Sequence, residues 1–368
     1  MQFQSVTMRV ISAPLKTPFV THLETVVERS AIILQVRDID GCCGYGEADP
    51  FSSPWYSAET TQTCVEILKT CLIPLLLQRT IDQLSDLEPL FAAIRGHHMA
   101  KSGLIQAVWD YEARRKKVPL HQLSGGSRKK VDAGAVIASS DPSEALEQIA
   151  QFSEMGYKRY KIKISKATDH RLLRTIRQAY PNLPLMADAN SSYTLADSDH
   201  LQSFDRYHLL MIEQPLACND LVDHARLQTY LQTPICLDES LQSRALVQAA
   251  LQLGSCRVAT IKMAALGGWG EALRVAQLCR SYHVPVWCGG MIEFGIAKAH
   301  NLALAARSEF TLPGDLAASS RYWEEDIIQP EIQVVNGSVH VPDKDGIGFS
   351  INEQRLTQLT EQSWVFTK

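Results

Sequence analysis

The chain has 368 residues, too many for one ordinary domain, and its 45% apolar and 21% charged residues exclude collagen-like, disordered and coiled-coil classes. Its 36 basic and 40 acidic residues leave a net charge of −4 without a dominant basic stripe, so nucleic acid is not an expected partner. The longest apolar runs, such as Cys71 to Leu77, fall well short of the roughly 18 residues a bilayer span requires, so no membrane is expected either. The N-terminal MQFQSVTMRV has no basic stretch followed by an apolar block, which favours a cytoplasmic address. In chain order, Phe3 to Ser12, Ala31 to Arg37 and Cys43 to Glu47 read as strands, with Asp40-Gly41 marking a hairpin between the last two. Glu59 to Leu77 and Ser102 to Arg115 carry apolar residues at helical spacing, and the basic run Arg114 to Lys117 complements the C-terminal dipole of the second helix. Ser124-Gly125-Gly126-Ser127 then reads as a linker.

Beyond the linker, short apolar runs alternate with helical stretches: VDAGAVI, YKIKI, LPLMAD, LLMIEQP, PICLDES, VATIKM, VPVWCGG and EFTLPGD, eight candidate strands. Their ends recur at Lys163, Asp188, Glu213, Asp238, Lys262 and Trp287, in steps of 25, 25, 25, 24 and 25 residues. One parallel strand plus one crossover helix fits that interval, so the expected fold is α/β: a TIM-type (β/α)7β or (β/α)8 barrel behind an N-terminal α+β domain. Residues 1–125 are read as the N-terminal domain, 126–320 as the barrel, and 321–368 as a segment returning to the first domain. In that segment, Ile332 to Val335 and Val339 to Val341 flank an Asn336-Gly337 turn. Gly41, Gly44 and Gly46 sit in a hairpin, not after a first parallel strand, which weakens a nucleotide-binding reading. Nine cysteines with no C-x-x-C pair argue against both a disulfide framework and a zinc knuckle.

Barrel active sites lie at the C-terminal strand ends, where this chain places lysine, aspartate, glutamate, aspartate and lysine in turn. One strand-end acid alone is ordinarily a helix cap or a loop ion pair; five ionisable groups in register point to one site. Three converging carboxylates repel unless a cation neutralises them, and all-oxygen ligation by Asp188, Glu213 and Asp238 suits Mg²⁺, with Mn²⁺ as a substitute, better than zinc. Lys161 and Lys163 share one strand face, an arrangement expected to depress the pKa of Lys163 and make it a base. Lys262, about half a barrel away, would face it across a metal-bound carboxylate substrate, suggesting proton abstraction. Asn190 and Glu239 are expected to orient these groups, whereas His97, His98 and His300 are read as structural.

Lys161-Ile-Lys163, Asp188-Ala-Asn190, Glu213-Gln-Pro215, Asp238-Glu239-Ser240 and Lys262 together resemble the muconate-lactonising branch of the enolase superfamily over nearly the whole chain. The resemblance implies a capping domain over a (β/α)7β barrel, Mg²⁺ on the three acids, Lys163 as both base and acid, and Lys262 holding the enediolate from the opposite face. Gly289 to Gly295, Ala299-His300-Asn301, Leu312 to Asp315 and Ser319 to Trp323 are similar to a dehydratase subgroup of that branch. The implied reaction is dehydration of 2-succinyl-6-hydroxy-2,4-cyclohexadiene-1-carboxylate, a lyase step of menaquinone biosynthesis. An N-succinylamino acid racemase or dipeptide epimerase is the alternative. Ala265 stands where racemising relatives often carry arginine, which counts against the first of these. A Schiff-base aldolase built on Lys163 or Lys262 is a rival from another class, and a non-catalytic binding protein is a third. Substrate is expected to meet Phe19, Trp55, Gly290 and Met291, with loops Leu15 to Thr25 and Ala48 to Ser57 as the lid. A homo-oligomer is the expected assembly.

Overall fold

Alternating apolar and polar residues near the N-terminus set the register of a meander of β1 (Ser5–Val20), β2 (Thr25–Arg37) and β3 (Cys43–Ala48). Val6, Met8 and Val10 on β1 are buried while Thr7 and Arg9 are only partly so, and the strand runs antiparallel to β2 from Ser5 opposite Arg37. This computed structural model describes all residues of the chain except His22 and Ala138. The expected loop Leu15 to Thr25 is largely strand instead: after an irregularity between Pro14 and Phe19 the pairing resumes, with Phe19 opposite Val26 and Val20 opposite Thr25. His22, within that expected loop, lies outside the described residues.

The helix expected over Glu59 to Leu77 starts at Thr61, capped by Thr60, and passes through a π-helical turn at Leu68–Leu72. Pro74 follows in the next turn, where its ring and missing N–H forbid the regular bond to the preceding turn. A second helix, α1 (His98–Lys116), lies directly on β3. The approach is backbone to backbone: a Cβ on Gly44 would stand 2.1 Å from Tyr111 N, and one on Gly46 would stand 2.0 Å from Gly103 O. Buried Asp110 of α1 ties the layers together, accepting from Tyr45 N at 2.8 Å and Ile347 N at 2.7 Å.

Seven parallel strands follow: β4 (Gly134–Ile137), β5 (Arg159–Lys163), β6 (Leu185–Asp188), β7 (Ile212–Glu213), β8 (Ile235–Leu237), β9 (Val258–Ile261) and β10 (Val286–Cys288). Each pairs with the next. The eighth expected strand, EFTLPGD, is not a strand. It closes the ring through single bridges, Phe310 to Val286 and Gly314 to Ala133, and Gly134 N donates to Gly314 O at 2.7 Å. Pro313 has no N–H to continue a ladder there. A helix follows each of the seven strands, the last being α2 (Gly295–Ala305), and none directly follows the eighth stave, giving the (β/α)7β form.

Side chains two apart share a face, so the barrel interior is layered. Met186, Met211, Cys236, Val258 and Trp287 fill the floor as one buried cluster, and Arg159 lies over the Trp287 ring at 4.3 Å. Two residues further along the same strands stand Lys161, Asp188, Glu213, Asp238 and Thr260. Near the C-terminus, Val334–Val335 and Ser338–His340 pair about the Asn336-Gly337 turn and extend to Lys130–Asp132. β11 (Thr360–Thr367) then crosses back to β1, placing Thr367 opposite Ser5. All nine cysteines are free, and no described helix is long and apolar enough to cross a membrane.

Candidate active site

Parallel register puts the chemistry side by side: Lys163 pairs with Asp188 across β5 and β6, and Asp188 pairs with Glu213 across β6 and β7. Asp238 and Lys262 follow directly on β8 and β9. The strands carrying the three acids thus separate Lys163 from Lys262, setting the two amines on opposite walls. Lys163 Nζ donates to Asp188 Oδ2 at 2.6 Å and to Asn190 Oδ1 at 2.8 Å. Lys262 Nζ donates to Asp238 Oδ2 and to Tyr56 Oη, each at 2.5 Å. Asn190 Nδ2 reaches Glu239 Oε1 at 2.9 Å, so Asn190 joins Lys163 to the Glu239 carboxylate. Gln214 braces the adjoining turn, its Oε1 accepting from Asp238 N at 3.1 Å and Ser240 N at 3.2 Å.

Lys161 sits among three carboxylates. Its Nζ lies 2.6 Å from Asp315 Oδ2, 3.2 Å from Glu213 Oε2 and 3.5 Å from Asp188 Oδ2. Burial alone would lower this ammonium, but Asp315, Glu213 and Asp188 more than offset it and its pKa is raised. Asp188 Oδ2 therefore contacts both lysines, at 3.5 Å from Lys161 Nζ and 2.6 Å from Lys163 Nζ. Burial likewise pushes the Asp188 carboxyl up, but Lys163 and Lys161 outweigh it and hold it below the usual range. Glu213 is the opposite case: burial first, then Asp188, push its carboxyl well above the usual range. Burial and then Asp238 push Glu239 up to about 7.

Neither carboxylate oxygen of buried Glu213 has a hydrogen-bond donor among the described residues, since Lys161, though close, lacks hydrogen-bond geometry to it. Three acids on neighbouring strand ends, one with both oxygens unsatisfied, form a donor set suited to a hard divalent cation. They are not yet gathered: the described ligand atoms that lie within 4.8 Å of one another belong to Asp169, His170 and His200, outside the barrel. Those atoms are already engaged. Asp169 Oδ2 accepts from Tyr193 Oη at 2.6 Å and pairs with His200 Nε2 at 2.7 Å, while the His170 nitrogens meet Tyr207 at 2.8 Å and Ser203 at 3.0 Å.

A cavity of about 650 Å³, counted to its open mouth, joins these groups. Phe19, Trp55, Gly290 and Met291 line it together with Lys161, Lys163, Asp188, Asn190, Asp238 and Lys262. Glu213 and Glu239 lie buried behind that lining. Three participants were not singled out from the sequence: Tyr56 as a contact of Lys262, Asp315, and Lys298. Asp315 ends the irregular eighth stave, 28 residues after Trp287, and so falls outside the 25-residue interval. Tyr56 comes from the other domain, which periodicity within the barrel cannot register. His300 is a satisfied core residue between Trp269 and Tyr45.

A capped (β/α)7β barrel with acids on three successive strand ends and a lysine on either wall is the architecture of the enolase superfamily. The mandelate racemase / muconate lactonizing enzyme N-terminal domain model matches residues 5–125, and the enolase C-terminal domain-like model matches residues 144–355; the chain belongs to this family. It is 47% identical over 362 residues to the o-succinylbenzoate synthase of Geobacillus stearothermophilus, covering 98% of this chain and 96% of the relative. It is 44% identical over 367 residues to that of Bacillus subtilis, covering 100% and 99%. It is also 40% identical over 361 residues to the N-succinylamino acid racemase of Thermus thermophilus, covering 98% of each. Among solved structures, an enolase-superfamily member from Listeria innocua superposes with a TM-score of 0.97 at 38% identity, covering 100% of this chain and 99% of that one.

Proposed function

We propose that this site carries out the o-succinylbenzoate synthase reaction, the syn dehydration of 2-succinyl-6-hydroxy-2,4-cyclohexadiene-1-carboxylate to 2-succinylbenzoate and water in menaquinone biosynthesis. The observation that carries the reading is the placement of Lys163 and Lys262 on opposite walls of one cavity, with Asp188 and Asp238 in its lining. Relatives of 39–47% identity bearing that name add to it. Asp188, Glu213 and Asp238 would hold a divalent ion, in our reading Mg²⁺, which when bound supplies positive charge at the substrate carboxylate.

Lys163 removes the proton from the carbon bearing that carboxylate, and the electron pair spreads into the carboxylate as an enediolate. Lys262, from the opposite wall, sets its ammonium against the charge that develops. The same lysine, now protonated, delivers a proton to the departing hydroxyl, which leaves as water while the ring becomes aromatic. One base on one face thus accounts for a syn elimination. Asn190 orients Lys163 through its 2.8 Å contact, and Glu239 holds Asn190 in turn. Phe19 and Trp55 close the apolar side of the cavity, and Gly290 and Met291 the barrel side.

A ¹H NMR assay with the cyclohexadiene substrate, comparing wild type with Lys163→Ala, tests the assignment: turnover is expected to fall at least a thousandfold, and retained turnover removes the base. N-succinylamino acid racemisation is the second reading, favoured by the two-sided placement of lysines and by the Thermus relative. Deuterium exchange into N-succinylamino acids at a rate rivalling dehydration would establish it.

A further inference from the structure

Among the described residues, the cavity is lined by four ammonium groups, and three of them are matched. Lys161, Lys163 and Lys262 each sit against a carboxylate. The fourth is Lys298, on α2, which is 1% exposed and whose Nζ finds no hydrogen-bond partner. Its described neighbour is the Tyr322 ring, 5.2 Å from Nζ to centroid. Glu293, the carboxylate nearest along the chain, is committed elsewhere: Oε2 accepts from Met291 N at 2.6 Å, and Oε1 accepts from Asn301 Nδ2 at 3.2 Å. A buried ammonium with neither anion nor acceptor is costly to fold around. It nevertheless lines the same cavity as the reacting groups and as the aromatic residues Phe51 and Trp55.

We propose that Lys298 is the specificity-determining anchor for a second, remote carboxylate of the substrate, so that the cavity selects dicarboxylates. One carboxylate would lie toward the cation that Asp188, Glu213 and Asp238 would hold; the other would supply the partner that Lys298 Nζ lacks within the protein. This assignment rests on the dehydratase reading for the position of the first carboxylate. It also explains why the chain keeps an ammonium where an apolar residue would fold more favourably: Lys298→Met should leave the thermal midpoint of the ligand-free protein unchanged or raised.

Calorimetric titration of the Mg²⁺-loaded protein with 2-succinylbenzoate and with its monomethyl ester at the succinyl end tests the proposal. Wild type should prefer the diacid at least tenfold. Lys298→Met should weaken the diacid at least tenfold and the ester less than twofold. Equal weakening of both ligands, no weakening of the diacid, or a lowered midpoint for the variant would overturn the assignment of Lys298. A dehydration assay on wild type separates the two failures. Turnover with unaltered diacid affinity in Lys298→Met sinks only the anchor, whereas neither turnover nor diacid binding by wild type sinks both readings.

Discussion

Tyr56, carried by the N-terminal domain, accepts a 2.5 Å hydrogen bond from Lys262 of the barrel. The capping loop is therefore in direct contact with a proposed reacting group, and the Tyr56 ring also lies 4.8 Å from the Lys262 ammonium. The placement of the cap and the position of that lysine are thus linked through this contact.

Removing the hydroxyl alone, in Tyr56→Phe, leaves the Lys262 ammonium with Asp238 as its anchor. A hydrogen bond to a charged group is worth about 1.5–3 kcal/mol, so kcat/KM for dehydration is expected to fall roughly 10- to 100-fold with the fold intact. Steady-state kinetics together with circular dichroism check this; unchanged kinetics would detach the cap from the chemistry.

Metal removal should be visible in stability as well as in rate. An ion bound at about 100 times its Kd adds about 2.7 kcal/mol, so the thermal midpoint should rise with Mg²⁺ and return with EDTA. Glu213→Gln, which removes the negative charge of a buried and unsatisfied carboxylate and replaces one of its oxygens by an NH₂ donor, is expected to abolish that shift and the dehydration together. Differential scanning calorimetry with and without chelator reads both arms.

The buried His300 predicts a pH-dependent loss of stability. Trp269 Nε1 can only donate, so His300 Nδ1 accepts at 3.0 Å and the proton resides on Nε2, which donates to Tyr45 O at 3.0 Å. Burial lowers the imidazole pKa to about 4. The unfolded chain takes up this proton near pH 6.5 and the folded chain does not, so the contribution is complete above pH 6.5 and is lost as pH falls toward 4. The loss is about 3 kcal/mol. Urea denaturation from pH 7 to pH 4 should show a steeper decline for wild type than for His300→Gln; parallel curves would refute the assignment.

Gly44→Ala tests the contact between β3 and α1. The added methyl meets backbone atoms of Tyr111 and Ala107 at 2.1 and 2.3 Å, which cannot rotate away. Overpacking of this kind costs about 1–3 kcal/mol or more. The denaturation midpoint is expected to fall accordingly, with the cap cleaved faster in limited proteolysis.

The 25-residue interval made the barrel legible, because a parallel strand and its crossover helix consume a nearly constant length of chain. The same interval located Lys163, Asp188, Glu213, Asp238 and Lys262, since the C-terminal ends of parallel barrel strands gather at one mouth. Alternation along its strand likewise put Lys161 and Lys163 on one face. Only the folded chain decided the pairings. Asp315 meets Lys161 because the eighth stave is bridged rather than laddered, and Tyr56 meets Lys262 because one domain closes on another. Lys298 Nζ has no hydrogen-bond partner among the described residues, and Glu293, five residues before it, bonds Met291 N and Asn301 Nδ2 instead. Local spacing is written along the chain, but the partners set here by ring closure and domain contact lie 154 and 206 positions apart in it, and no periodicity records them.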